Sequence, residues 1–175
     1  MNSSIQPVEI LSAERIAERL TTLAQEINHF YQGREILLVS ILDGAIIFTA
    51  DLLRLLSIPT QLDCLRISSY GSSTSPESAP QITGSLKSDL RGKHVLLVDD
   101  ILDTGNTLQR ASEEIQSHNP DSLKTCVFLD KAERRTNNFQ ADWVGFSIPN
   151  EFVVGYGLDY DGRYRELPYL GKLPS

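Results

Sequence analysis

Short, nearly continuous apolar runs at residues 36–41 and 95–98, with another strand at 124–129, limit the folds open to this chain more than any other feature. A strand buried on both faces reads as such a run, whereas a strand with one wet face alternates. The segments between the runs carry a different period. Ile16, Leu20, Leu23, Ile27 and Phe30 fall at helical spacing in one stripe, with Ser12 able to cap the helix and Glu14 in its first turn. Tyr31-Gln32-Gly33 ends that helix. Residues 45–56 read as a second helix that Pro59 prevents from continuing. Residues 106–118 read as a third, with Leu108, Ala111 and Ile115 on one side and Pro120 beyond its end. Residues 62–67, 82–86, 143–148 and 152–156 are candidates for further strands. Strand–helix–strand alternation predicts right-handed crossovers and an α/β fold, with a mainly parallel sheet flanked by helices.

Composition narrows the function classes. A chain of 175 residues fits one domain and buries a core without staples. At 41% hydrophobic and 22% charged it is not disordered. The charge balance, 16 basic against 23 acidic residues, gives a net −7. That excess argues against a general nucleic-acid binder or a protein seated on anionic lipid. It leaves small phosphorylated ligands open, because these need local donors rather than net charge. Cys64 and Cys126 are too few for a disulfide framework or a zinc knuckle, and read as reduced structural residues. The first residues lack the charged and apolar regions of a signal peptide, and no apolar run approaches the roughly 20 residues that span a bilayer. The expected setting is cytoplasmic, with neither membrane nor nucleic acid as partner.

One segment carries most of the chemical information: Val95-Leu96-Leu97-Val98-Asp99-Asp100-Ile101-Leu102-Asp103-Thr104-Gly105-Asn106-Thr107-Leu108. A buried strand over 95–98 leads into a polar loop over 99–105, and that loop opens a helix. In open α/β sheets ligands bind outside the carboxyl ends of the strands. A helix N-terminus there offers unpaired N–H groups and the positive end of a dipole. Gly105 allows close backbone approach, and Thr104 and Thr107 add hydroxyls, which together make a phosphate cradle. Asp99 and Asp100 can accept hydrogen bonds from the neighbouring hydroxyls of a sugar, or help hold Mg²⁺ through water. The loop therefore suits a ribose 5′-phosphate. The bland alternative is a capped turn with surface acids. Competing motifs fail on spacing: there is no G-x-x-x-x-G-K-[ST], no G-x-G-x-x-G and no G-x-S-x-G. His29, His94 and His118 form no zinc pattern. Asp159-Tyr160-Asp161-Gly162 is only a fragment of a calcium loop.

Residues 95–108 resemble the phosphoribosyl-pyrophosphate (PRPP) signature of type I phosphoribosyltransferases. A second run, Gly145-Phe146-Ser147-Ile148-Pro149-Asn150-Glu151-Phe152-Val153-Val154-Gly155-Tyr156-Gly157-Leu158-Asp159-Tyr160, resembles the hypoxanthine-guanine branch of that family. So do Leu129-Asp130-Lys131, Arg134-Arg135 and the run Arg163-Tyr164-Arg165. The likeness extends from the first helix to Leu173.

The resemblance implies one domain over 1–175, with a lid at about 69–81 and a C-terminal hood at about 145–175. It implies Mg²⁺-dependent transfer of a phosphoribosyl group from PRPP to a 6-oxopurine, by a homo-oligomer. Asp99 and Asp100 would engage the ribose hydroxyls and the Mg²⁺ shell. Asp103 would handle the proton near purine N7. Asp103, Thr104, Gly105, Asn106 and Thr107 would hold the 5′-phosphate. Lys131 would donate to the purine O6, Phe152 would stack on the base, and Val153 would read its edge through main-chain groups. Asp159, beside the purine, would bind a second Mg²⁺. The pyrophosphate subsite would comprise Asp43, Gly44, Ser69, Tyr70 and Arg165. The chain departs from the family pattern at Asp43, where Lys or Arg is usual, and at Asp99, where Glu is frequent. Two other readings stay open: a PRPP- or nucleotide-sensing regulator on the same fold, and a transferase preferring xanthine or uracil.

Overall fold

The computed structural model describes residues 6–68 and 80–174. Its centre is a six-stranded sheet in the order β4-β3-β2-β5-β6-β7. The strands are β2 (Ile36–Leu42), β3 (Thr60–Ser68), β4 (Gln81–Ile82), β5 (His94–Leu102), β6 (Ser122–Asp130) and β7 (Trp143–Ser147). All pair in parallel except β4, which runs antiparallel to β3. The helices are α1 (Ala13–Phe30), α2 (Ile46–Leu55) and α3 (Asn106–Ser117). A separate antiparallel sheet forms from both ends of the chain: β1 (Val8–Leu11), β9 (Leu170–Lys172) and β8 (Val153–Val154). A 3₁₀ turn spans Ala132–Arg134.

The apolar runs are buried on both faces, which is why they do not alternate. In β2, Ile36 and Leu38 join the core under α1 and α2, while Leu37, Val39 and Ile41 join the core under α3. In β5, Leu96 and Val98 point to the first core, and Val95 and Leu97 to the second. Ser12 caps α1 as expected, its side chain accepting from the Arg15 N–H at 3.4 Å. Ile16, Leu20, Leu23 and Ile27 are buried, but Phe30 at the end of the stripe is 40% exposed and packs edge-on against Trp143.

Phe128 ties the two sheets together. Its fully buried ring contacts Phe48 of α2 at 5.5 Å, Phe146 of β7 at 5.8 Å and Tyr156 of the terminal segment at 4.7 Å. Phe128→Ala should cost about 3–5 kcal/mol by denaturant unfolding. A loss below about 1 kcal/mol, less than such a truncation costs in a packed core, would show that this cluster does not support the fold.

Two local expectations change. Residues 82–86 do not form a strand, since pairing stops at Ile82. The Lys87 and Ser88 amides donate instead to the buried Asp63 carboxylate, both at 2.8 Å. Burial works to raise the Asp63 pKa, and the Ser88, Cys64 and Lys87 amides overcome it, leaving the group below its usual range. The second change concerns Asp99 and Asp100. They lie in β5 rather than in a loop, because β6 continues beside them and pairs Asp99 with Val127 and Ile101 with Leu129.

Candidate active site

The strand order dictates where a ligand can bind. The chain leaves β2 toward β3 on one side and leaves β5 toward β6 on the other, so connections diverge between β2 and β5. Divergence opens a crevice beyond the carboxyl ends of those two strands. A cavity of about 430 Å³ lies there. Leu42 and Gly44 line it from the end of β2, and Asp99, Asp100, Asp103, Thr104, Gly105, Asn106 and Thr107 line it from the end of β5.

Gly105 sits at φ +88° as the residue preceding α3, a conformation that side chains disfavour. The first amide to bond back into the helix is Gln109, to the Gly105 carbonyl at 2.9 Å. Of the amides before it, that of Asn106 donates to the Thr104 Oγ1 at 3.4 Å, and those that follow are the donors of a helix start. The loop is braced from behind by Arg135, Thr136 and Asn137. Arg135 donates to the Asp103 carbonyl at 2.9 Å and pairs with Asp130. The Thr136 amide donates to the Thr104 carbonyl at 3.0 Å, and Asn137 donates to the Asn106 side chain at 3.3 Å. Sequence reasoning missed Thr136 and Asn137, because no periodicity marks a residue whose partner lies some thirty positions away.

Asp99 and Asp100 are adjacent acids in a poorly solvated position. Burial, followed by the charge of Asp100, holds Asp99 well above the usual carboxylate range. Burial also raises Asp100, with the Arg165 charge pulling the other way. Asp99→Asn keeps the shape and removes one of the two charges. The ligand-free variant should be about 1–2 kcal/mol more stable at neutral pH. A raised carboxyl makes the native state the better proton binder, so stability falls as pH rises through the raised pKa. Asp99→Asn should flatten that fall in melting curves. A destabilised variant would contradict this reading.

Asp103 lines the same cavity, and its Oδ1 is buried without a hydrogen bond in the described protein. The Arg134 Nε approaches it to 3.0 Å as an ion pair, outside hydrogen-bond geometry. Lys131 stands nearby on the far side of β5, its amide bonded to the Leu102 carbonyl at 3.0 Å. Its ammonium is buried and donates to the Glu151 carbonyl at 2.6 Å, next to Phe152. Burial lowers its pKa, and the charge of Asp103 works against that. Phe152 is not core: it is 56% exposed, edge-on to Tyr160 at 5.6 Å. Val153 is buried in β8, opposite Lys172.

The residues expected at the pyrophosphate divide. The Leu42–Asp43 peptide is cis. Gly44 packs against the Asp100 carboxylate, and a Cβ there would fall 1.8 Å from its Oδ2, so one of the two must shift. Gly157, at φ +98°, rests against the Gly44 carbonyl, which a Cβ would meet at 2.3 Å. Arg165 donates to the Gly157 carbonyl at 2.5 Å and pairs with Asp159 at 2.8 Å. Ser69 and Tyr70 lie outside the described residues. Among the described residues no three ligating side chains converge as a metal site, and none of the helices is long and apolar enough to cross a membrane.

A crevice at the switch point, a phosphate-type loop opening α3 and a glycine-lined second loop together define a class. The family profile described as "Phosphoribosyl transferase domain" matches residues 8–161. The chain is 45% identical to a hypoxanthine phosphoribosyltransferase of Salmonella typhimurium, over 95% of each chain. It is 44% identical to a hypoxanthine-guanine phosphoribosyltransferase of Mycobacterium bovis, over 94% of this chain and 84% of that one. A crystal structure of a hypoxanthine-guanine phosphoribosyltransferase from Bacillus anthracis superposes with a TM-score of 0.92 at 36% identity, covering 98% of this chain and all of the other. The chain belongs to the hypoxanthine-guanine phosphoribosyltransferases, and is an enzyme of the transferase class.

Proposed function

We propose that this enzyme transfers the 5-phosphoribosyl group of PRPP to N9 of hypoxanthine or guanine, giving IMP or GMP and pyrophosphate in purine salvage. The observation that carries the reading is the Asp103 carboxylate, its Oδ1 free of hydrogen bonds, lining the cavity beside the start of α3. In the reaction the bond from C1′ to pyrophosphate breaks and the bond from C1′ to N9 forms. The purine must shed a proton, and Asp103 takes it at N7. Thr104, Thr107 and the first amides of α3 hold the 5′-phosphate. Asp99 and Asp100 hold the ribose hydroxyls and place the sugar.

The donor set suits Mg²⁺. That ion usually takes one or two carboxylates and completes its shell with water and substrate oxygens, and Asp99 and Asp100 offer two adjacent acids, the first buried and the second half-buried at the cavity. Asp159, already engaged by Arg165 and by the Gly162 amide at 2.8 Å, is the secondary candidate. When bound, the ion neutralises the departing pyrophosphate.

On the base side, Phe152 presents an exposed ring for stacking, and the Lys131 ammonium supplies a donor to O6. A 6-amino group has no acceptor to offer that ammonium. Lys131→Ala should raise KM for hypoxanthine roughly ten- to a hundredfold, the worth of a hydrogen bond from a charged group. An unchanged KM removes Lys131 from base recognition. The assay that tests the whole reading supplies purified protein with PRPP, Mg²⁺ and hypoxanthine, guanine, xanthine or uracil in turn. Turnover of hypoxanthine is expected, and inactivity on every 6-oxopurine would refute it.

A further inference from the structure

Asp43 is out of place electrostatically. It lies between Leu42 and Gly44, both of which line the cavity, on the loop assigned to the leaving group. An uncompensated carboxylate there would repel pyrophosphate. Arg66 compensates it. Leu42 and Arg66 are register partners at the carboxyl ends of β2 and β3. From there the Arg66 Nη2 reaches the Asp43 Oδ1 at 2.9 Å, and Nη1 reaches Oδ2 at 3.3 Å. Two contacts, nitrogen by nitrogen and oxygen by oxygen, form a fork-to-fork pair. The Thr83 amide donates to the Arg66 carbonyl at 2.9 Å and fixes the strand end that carries it. The two side chains are 57% and 53% exposed, so the pair adds little to stability. Its consequence is local charge.

We propose that Arg66 is a positioning residue of the pyrophosphate subsite, cancelling the charge of Asp43 so that an anionic leaving group can approach the Gly44 backbone. The inference rests on the reading of the cavity as a PRPP site. Steady-state kinetics with PRPP and hypoxanthine varied separately tests it in three variants: Arg66→Ala, Arg66→Lys, and Arg66→Ala combined with Asp43→Asn. Arg66→Ala should raise KM for PRPP roughly five- to tenfold, with kcat and the KM for hypoxanthine near wild type. The rise should shrink with added salt, which screens exposed charges. Arg66→Lys keeps a counter-charge and should stay near wild type. The double variant should recover, since no charge remains to cancel.

An unchanged KM in Arg66→Ala overturns the proposal. A double variant as weak as Arg66→Ala also overturns it, because Arg66 would then bind the anion itself. A rise insensitive to salt, with a lowered melting temperature, would mark a purely structural role and overturn it too. A wild-type protein without PRPP-dependent turnover would instead refute the reading of the site on which the inference rests.

Discussion

Asp103→Asn is expected to lower kcat roughly a hundred- to a thousandfold while leaving IMP affinity within a few-fold. The first figure is the usual worth of a positioned general base. The second follows from the geometry. Asparagine keeps the size of the side chain, and the contacts holding the loop are made by the Asp103 main chain, whose carbonyl receives Arg135 at 2.9 Å. The substitution thus separates proton transfer from phosphate binding. It also removes the partner of Arg134, a half-exposed side chain that meets the buried Asp103 Oδ1. Calorimetric titration with IMP beside steady-state turnover distinguishes the two effects. Unchanged kcat would take Asp103 out of the chemistry, and lost IMP binding would show that the side chain holds the loop.

A second large effect is expected at Gly44. A methyl group there would overlap the Asp100 carboxylate, at 1.8 Å from Oδ2, so either the loop or Asp100 must move. The pairing of β5 with β2 has ended at Val98 and only β6 flanks Asp100, so its carboxylate turns away from the new methyl group and gives up its place in the cavity. Gly44→Ala should therefore lower kcat/KM for PRPP by on the order of a hundredfold, equivalent to about 2.7 kcal/mol. Gly33 provides the control. It has φ +77°, but a Cβ added there would meet no atom within 4 Å, so Gly33→Ala costs stability without touching the site. Equal activity losses in the two variants would trace the Gly44 effect to general destabilisation. A kcat/KM close to wild type would show that the contact with Asp100 does not matter.

The sheet is legible in the sequence because burial on both faces leaves an unambiguous mark at 36–41 and 95–98. Asp99 and Asp100 read as loop in the sequence for a physical reason. Aspartate is disfavoured in strands on its own, but β6 supplies a partner for β5 up to Asp130, and that pairing overrides local preference. The loop proposed to hold the 5′-phosphate is legible because its chemistry is contiguous. Its braces, Thr136 and Asn137, and the stacking of Gly157 on Gly44 on Asp100 are not, since each joins residues remote in sequence. Asp43 stands out in the sequence as an odd residue. Only the fold supplies Arg66, because the register of β2 against β3 brings the two together.

The small terminal sheet sets an order of events during synthesis. β1 pairs with β9, and β9 with β8, so neither Val8–Leu11 nor Val153–Val154 has its partner until Leu170–Lys172 has been made. The large sheet is under no such constraint, since all its strands precede residue 148. A nascent chain can therefore assemble the β2–β5 crevice and the start of α3 first. The side that would receive the base is completed only once Leu170–Lys172 has been made.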